Sequence, residues 1–142
     1  MSNSAAPKGS SEGPLLLVED SEDDAFIFGR ALQSAGVQRP LFRVKNGDEA
    51  IKYLSAQPPF DNRSTYPIPT LIVLDLKMPI RSGFDVLEWL RHQPSLASIP
   101  VMVLTASDWP KDRERISEFK ITGYHLKPIE FDQMVEIAKL VR

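Results

Sequence analysis

The stretch Leu71-Ile72-Val73-Leu74-Asp75-Leu76-Lys77-Met78-Pro79, followed by Gly83, decides the fold. Its four consecutive apolar residues are typical of a parallel strand that is covered by helices on both faces. Short apolar or β-branched runs of this kind alternate along the chain with longer segments of helical spacing. They predict strands at residues 15–19, 41–45, 71–75, 101–105 and 124–126. The alternation indicates a doubly wound α/β sandwich of five parallel strands and five helices.

Two of the helices are marked by their apolar spacing. The first is predicted to begin at a cap formed by Asp23 or Asp24 and to end before Gly36. Its core face is predicted to comprise Phe28, Ala31, Leu32 and Ala35. The same spacing in the last helix selects Phe131, Met134, Val135 and Ala138.

Length and composition narrow the class of protein. A chain of 142 residues fits one domain, which we place at residues 14–142, after a small, polar and flexible tail at residues 1–13. Seventeen Lys and Arg against nineteen Asp and Glu give a net charge of -2, so the basic surface that nucleic acid requires is missing. The first apolar run is far shorter than a signal peptide core or the roughly 20 residues of a membrane span. We therefore expect a cytoplasmic protein with neither a nucleic-acid nor a membrane partner.

Polar residues stand where the predicted strands end. Glu19 and Asp20 follow the first strand, Asp75 the third, Thr105 the fourth and Lys127 the fifth. Chemistry in doubly wound sheets gathers at this carboxyl edge. Three carboxylates at one edge repel each other unless a cation joins them, and oxygen-only ligands favour Mg²⁺ over zinc or copper. Magnesium is the expected cofactor.

In these residues and their order, the chain resembles the response-regulator receiver family from residue 15 to residue 142. Within the family it is most similar to small, stand-alone regulators paired with phytochrome-type sensor histidine kinases. The resemblance implies a flavodoxin-like (βα)5 sandwich with strand order 2-1-3-4-5. It also implies a signalling protein that is not an enzyme.

The resemblance assigns roles to the residues at the strand ends. Asp75 is the expected phosphoacceptor, and Glu19, Asp20, Asp75 and the backbone carbonyl of Lys77 are the expected ligands of Mg²⁺. Thr105 and Lys127 are expected to contact the phosphoryl group, and Tyr124 to change rotamer on activation. The Lys127-Pro128 bond is expected to be cis.

The same resemblance implies that Lys77 and Ser107 border the path of the hydrolytic water and so set the lifetime of the phosphoryl group. Because neither is a carboxylate base, and because the Lys77 ammonium is expected to shield the phosphoryl group, we expect slow self-dephosphorylation. The donor is expected to be a phosphohistidine on a sensor histidine kinase or a histidine phosphotransfer protein. Output is expected through a downstream protein, with homodimerisation through the fourth helix, fifth strand and fifth helix as a hypothesis.

Other interpretations of the same residues remain open. A phosphatase of the haloacid-dehalogenase type also uses an Asp after a strand, but its second Asp normally stands where this chain has Lys77. A pseudo-receiver usually lacks one of the acidic, acceptor or lysine residues, and a flavin site favours a phosphate-binding loop after the first strand. Residues 56–69 are interpreted either as a docking loop or as a neutral surface insertion. Residues 112–115 are interpreted as a solvated helix face.

Overall fold

Five parallel strands form one sheet in the computed structural model, which describes residues 13–128 and 130–142. The strands are β1 (Leu15–Val18), β2 (Leu41–Val44), β3 (Leu71–Leu74), β4 (Val101–Thr105) and β5 (Gly123–Leu126). Their order across the sheet is β2-β1-β3-β4-β5, and every neighbouring pair is parallel. This is the 2-1-3-4-5 order that the resemblance implied, and the prediction is confirmed.

Five α-helices alternate with these strands and cover both faces of the sheet. They are α1 (Glu22–Ser34), α2 (Gly47–Leu54), α3 (Gly83–Leu90), α4 (Pro110–Ile116) and α5 (Phe131–Ala138), and a 3-10 turn (Lys139–Val141) follows α5. Within the described part of the chain, none of the helices has both the length and the apolar character needed to cross a membrane. The predicted tail at residues 1–13 lies, apart from Gly13, outside the described residues.

The central strands are apolar throughout because successive side chains enter two different cores. Leu16 and Val18 of β1 pack on one face with residues of α2, α3 and α4. Leu15 and Leu17 pack on the other face with residues of α1 and α5. Burial of all four side chains on both faces explains why the strand sequences do not alternate between apolar and polar residues.

The ends of α1 differ in part from the prediction. Ser21, rather than Asp23 or Asp24, caps the helix: its backbone is extended and its hydroxyl accepts a hydrogen bond from the Asp24 amide at 3.1 Å. The two aspartates lie in the first turn instead, where the helix dipole favours acidic side chains. At the other end Gly36 adopts a φ of 76°, the left-handed conformation expected just beyond a helix.

The predicted core faces of the helices are mostly confirmed. All four predicted residues of α1 are buried, as are Met134 and Ala138 of α5. Phe131 was predicted to be in the core but is 42% exposed at the first position of α5, so the buried face of this helix begins with Met134 in its next turn.

The long connection at residues 56–69 is folded against α2. Arg63 donates hydrogen bonds to the carbonyl oxygens of Tyr53 and Leu54, at the end of α2, and of Tyr66. The rings of Phe60 and Tyr66 lie 5.4 and 5.8 Å from the ring of Tyr53. The segment is therefore a packed part of the domain, and its role in docking stays a hypothesis.

Candidate acidic site at the carboxyl edge of the sheet

Three carboxylates meet where β1 and β3 end. One oxygen atom from each of Glu19, Asp20 and Asp75 lies within 4.8 Å of the other two. Glu19 and Asp75 are buried, with 3% and 6% of their surface exposed, whereas Asp20 is open to solvent. The donor set contains carboxylate oxygens and has one solvent-facing side, which fits a hard divalent cation that keeps some of its water.

The backbone places Asp75 close to the start of α3. The Asp75 amide donates to the carbonyl oxygen of Val18, so β3 continues its pairing with β1 for one residue beyond Leu74. A Cβ atom at Gly83 would lie 2.3 Å from the carbonyl oxygen of Asp75. Only glycine permits this close approach of the helix to the strand end.

Lys127 joins the carboxylates from the end of β5. Its ammonium lies 2.7 Å from Glu19 Oε1, 2.8 Å from Asp24 Oδ2 and 3.2 Å from Asp75 Oδ2. Burial lowers the pKa of Lys127, but the hydrogen bonds to Asp24 and Glu19 and the charge of Asp75 outweigh burial and raise the pKa above its usual value. The lysine is therefore protonated and supplies a fixed positive charge beside Asp75.

The electrostatics of Glu19 show the cost of collecting acids in a buried site. Burial raises the pKa of Glu19, while hydrogen bonds from Lys127 and the Ser21 amide and the charge of Lys127 lower it without cancelling the rise. The nearby charge of Asp75 adds to the rise. A cation at the carboxylates would favour the charged form of Glu19.

Thr105 and Tyr124 stand on the β4 side of the site. The Thr105 side chain is fully buried, and its hydroxyl oxygen accepts a hydrogen bond from the Ser107 amide at 3.3 Å. The Tyr124 hydroxyl donates to the carbonyl oxygen of Ser107 at 2.8 Å, and the Arg113 guanidinium lies 4.6 Å from the ring centroid. Ser107 thus connects Thr105 to Tyr124.

The two residues assigned to the signal lifetime share one partner. Lys77 Nζ lies 3.1 Å from Asp112 Oδ2, and the Ser107 hydroxyl donates to the same oxygen at 2.5 Å. Burial raises the pKa of Asp112, but the hydrogen bonds from Ser107 and Lys77 outweigh it and hold the pKa below its usual value. Residues 112–115 are therefore not a uniformly solvated face, because Asp112 is buried against the two loops while the next three residues are exposed.

The structure thus brings together Glu19, Asp20, Asp75 and Lys127 as the sequence predicted. The Lys77 ammonium, by contrast, pairs with Asp112, and within the described residues it forms no ion pair with the three clustered carboxylates. The expected cis bond at Lys127-Pro128 is wrong: in the described part of the chain, the cis bond is Pro58-Pro59. An X-Pro bond favours trans by about 0.5–1 kcal/mol, so a Lys-Pro step does not by itself fix the isomer.

Sequence reasoning missed the contacts of Asp24 and Asp112. Asp24 was interpreted as a cap, although Ser21 is as good a cap residue and leaves the Asp24 carboxylate free for Lys127. Asp112 stands four residues before the buried Ile116, on the same face of α4.

Comparison with known proteins decides the family. A family model for the response regulator receiver domain matches residues 15–139. The chain belongs to this family. Receivers of this family are signalling domains of two-component systems. The acidic cluster of this chain lies at the carboxyl edge of its sheet, where ligands bind in doubly wound folds.

Three comparisons are with response regulators, one of which is a phytochrome response regulator. Response regulator Rcp1 of Synechocystis sp. is 37% identical over 113 residues, which cover 80% of this chain and 75% of Rcp1. The crystal structure of the phosphorylated cyanobacterial phytochrome response regulator RcpA has a TM-score of 0.82 and 30% identity, over 92% of this chain and 91% of RcpA. The Mn²⁺-bound form of Rcp1 has a TM-score of 0.80 and 29% identity, over 90% of each chain.

Proposed function

We propose that this receiver accepts a phosphoryl group on Asp75 from a phosphohistidine and transmits the signal by protein contact. The observation that carries the proposal is the position of the Lys127 ammonium, 3.2 Å from Asp75 Oδ2 and 2.7 Å from Glu19 Oε1. A carboxylate beside a fixed ammonium and two further acids is suited to nucleophilic attack on phosphorus, where charge develops on the transferring oxygens.

In the proposed transfer, an oxygen of Asp75 forms a bond to phosphorus. The bond between phosphorus and the donor imidazole nitrogen breaks, and the imidazole leaves with the electron pair of that bond. Lys127 stays protonated and balances charge on the phosphoryl oxygens, and the Thr105 hydroxyl contacts them from β4. Magnesium, held by Glu19, Asp20, Asp75 and the carbonyl of Lys77, supplies further positive charge when it is bound.

The partners follow from the chemistry and from the similar proteins. The likeness to RcpA and Rcp1 supports a sensor histidine kinase of the phytochrome type as donor, with a histidine phosphotransfer protein as the other donor of the same chemistry. Downstream signalling through a protein target, homodimerisation through α4, β5 and α5, and a cytoplasmic location remain predictions.

A labelling experiment tests the phosphoacceptor. Acetyl phosphate with Mg²⁺ is expected to add one phosphoryl group to the protein, and Asp75→Asn to abolish the addition because an amide is not a competent nucleophile. Intact-protein mass spectrometry with and without a chelator gives the measurement. Asp61→Asn is the matched control, since Asp61 is exposed in the long loop and is expected to leave labelling unchanged.

The same experiment separates the alternatives. Persistent labelling of Asp75→Asn would refute the assignment. Absence of any label on the wild-type protein would favour a pseudo-receiver, and rapid turnover of added phosphate monoesters would favour a phosphatase.

A further inference from the structure

Asp112 is a buried carboxylate that the proposed phosphotransfer does not use. It belongs to α4, outside the cluster of Glu19, Asp20 and Asp75, and its side chain is only 6% exposed. It nevertheless contacts both residues that the resemblance assigns to the path of the hydrolytic water, Lys77 at 3.1 Å and Ser107 at 2.5 Å. Since both contacts end on the same oxygen, one carboxylate ties the loop after β3 to the loop after β4.

We propose that Asp112 is a positioning residue, which holds the Lys77 ammonium away from Asp75 and thereby shortens the lifetime of the phosphoryl group. This inference rests on the proposed function of Asp75. In hydrolysis, a water oxygen forms a bond to phosphorus, the bond to the Asp75 oxygen breaks, and the products are the free carboxylate and inorganic phosphate. An ammonium lying against the phosphoryl oxygens would occupy the space that the attacking water needs.

The position of the Lys77 ammonium depends strongly on its ion pair with Asp112. The Lys77 side chain is 57% exposed, and its ammonium also lies 5.5 Å from the centroid of the Trp109 ring. Its own amide donates to Asp75 Oδ1 at 3.3 Å, so the side chain starts beside the acceptor. A phosphoryl dianion on Asp75 would compete with Asp112 for this ammonium.

Ser107 fixes the carboxylate that holds the lysine. Its hydroxyl donates to Asp112, while its amide and carbonyl bind Thr105 and Tyr124. The position of Asp112 is therefore set by the loop after β4, which is itself bound to Thr105 and Tyr124. Loss of the Asp112 charge should free the lysine without removing any residue that contacts the phosphoryl group.

Decay of the labelled protein in a double-mutant cycle tests the proposal. Wild type, Asp112→Asn, Lys77→Met and the double variant are labelled with acetyl phosphate at saturating Mg²⁺, the donor is removed, and the remaining label is followed by mass spectrometry. Asp112→Asn is expected to slow decay about fivefold, equivalent to about 1 kcal/mol of barrier. In the Lys77→Met background the same substitution is expected to have no effect, because the group that it releases is gone.

Each outcome has a defined meaning. Unchanged or faster decay of Asp112→Asn, or equal slowing in both backgrounds, would overturn the proposal, whereas Asp112→Glu should restore wild-type decay by keeping the charge. Failure to label the wild-type protein would instead refute the proposed function.

A measurement on the wild-type protein remains available should Asp112→Asn fail to fold. Lys77 and Lys111 both approach the Trp109 ring, at 5.5 and 5.7 Å, but of the two only Lys77 forms an ion pair among the described residues. Limited acetylation should therefore modify Lys77 several-fold more slowly than Lys111. Equal rates would show that Asp112 does not hold the lysine and would overturn the proposal.

Discussion

Replacement of Lys127 by Met removes the positive charge of the acidic site and keeps most of the side-chain volume. In the absence of a divalent metal, the variant leaves Glu19 and Asp75 buried without their shared ammonium. Breaking a buried ion pair costs about 3–5 kcal/mol of unfolding free energy. We expect about 3 kcal/mol at pH 7, at the lower end of that range, because Asp20 is exposed and water reaches this side of the site.

The loss should depend on pH in a defined direction. Burial already raises the pKa of Glu19 above 4.5 in the wild-type protein, and contacts with Lys127 limit the rise. Without the lysine the folded-state pKa rises further, and a raised carboxyl pKa lowers stability progressively as the pH rises above the unfolded value. The difference between variant and wild type should therefore be largest at pH 7 and shrink as the pH falls toward 4.5.

Divalent metal should also reduce the difference. A cation at a free concentration of 100 times its Kd stabilises the folded state by about 2.7 kcal/mol, and its affinity should be higher where no ammonium competes for the carboxylates. Urea unfolding at pH 7 and pH 5, with chelator or with Mg²⁺, measures both effects. Lys139→Met is the matched control: it removes an exposed ion pair with Glu136 and should cost less than about 1 kcal/mol under all conditions. A loss for Lys127→Met that is the same at both pH values and with or without Mg²⁺ would refute the electrostatic explanation.

Two further predictions concern the opposite edge of the sheet and the loop after β4. Arg39→Met should lower the unfolding free energy by about 2–3 kcal/mol without changing the yield of label, because the buried guanidinium joins three distant segments through Gly13, Thr70 and Val141. Urea unfolding and the labelling assay measure the two quantities, and a loss below about 1 kcal/mol would contradict the prediction. Beryllofluoride with Mg²⁺, a phosphoryl mimic, should change tryptophan fluorescence through Trp109, which is 54% exposed in the loop after β4. The fluorescence change should disappear in Trp109→Phe, and its persistence in that variant would assign it to Trp89.

The sheet and the acidic cluster were predictable because they depend on features that a sequence displays directly. Continuous apolar runs identify strands buried on both faces, and parallel strands bring their carboxyl ends to one edge. Glu19, Asp75 and Lys127 each stand within a residue of the end of a strand, so their meeting follows from topology.

The residues that sequence reasoning missed lie on helices, where position on a face decides the contact. Asp24 and Asp112 look like ordinary acidic residues of a first turn, a common and usually solvated place for them. The partners of both residues, and the burial of Asp112, depend on how α1 and α4 sit over the edge of the sheet, which local spacing indicates only weakly. The packing of residues 56–69 was unpredictable for a related reason, since Arg63 finds its acceptors at the end of α2.

Lys77 and Lys127, the two lysines near Asp75, have different carboxylate partners, so metal binding should affect them differently. Lys127 contacts two carboxylates of the acidic cluster and Asp24, so a cation bound by the cluster would compete with it directly and leave Asp24 as its remaining partner. Lys77 is held by Asp112, outside the cluster, so the same cation leaves its ion pair in place. A new phosphoryl group would attract both. Metal binding should therefore alter the environment of Lys127 before phosphorylation, while Asp112 should continue to hold Lys77.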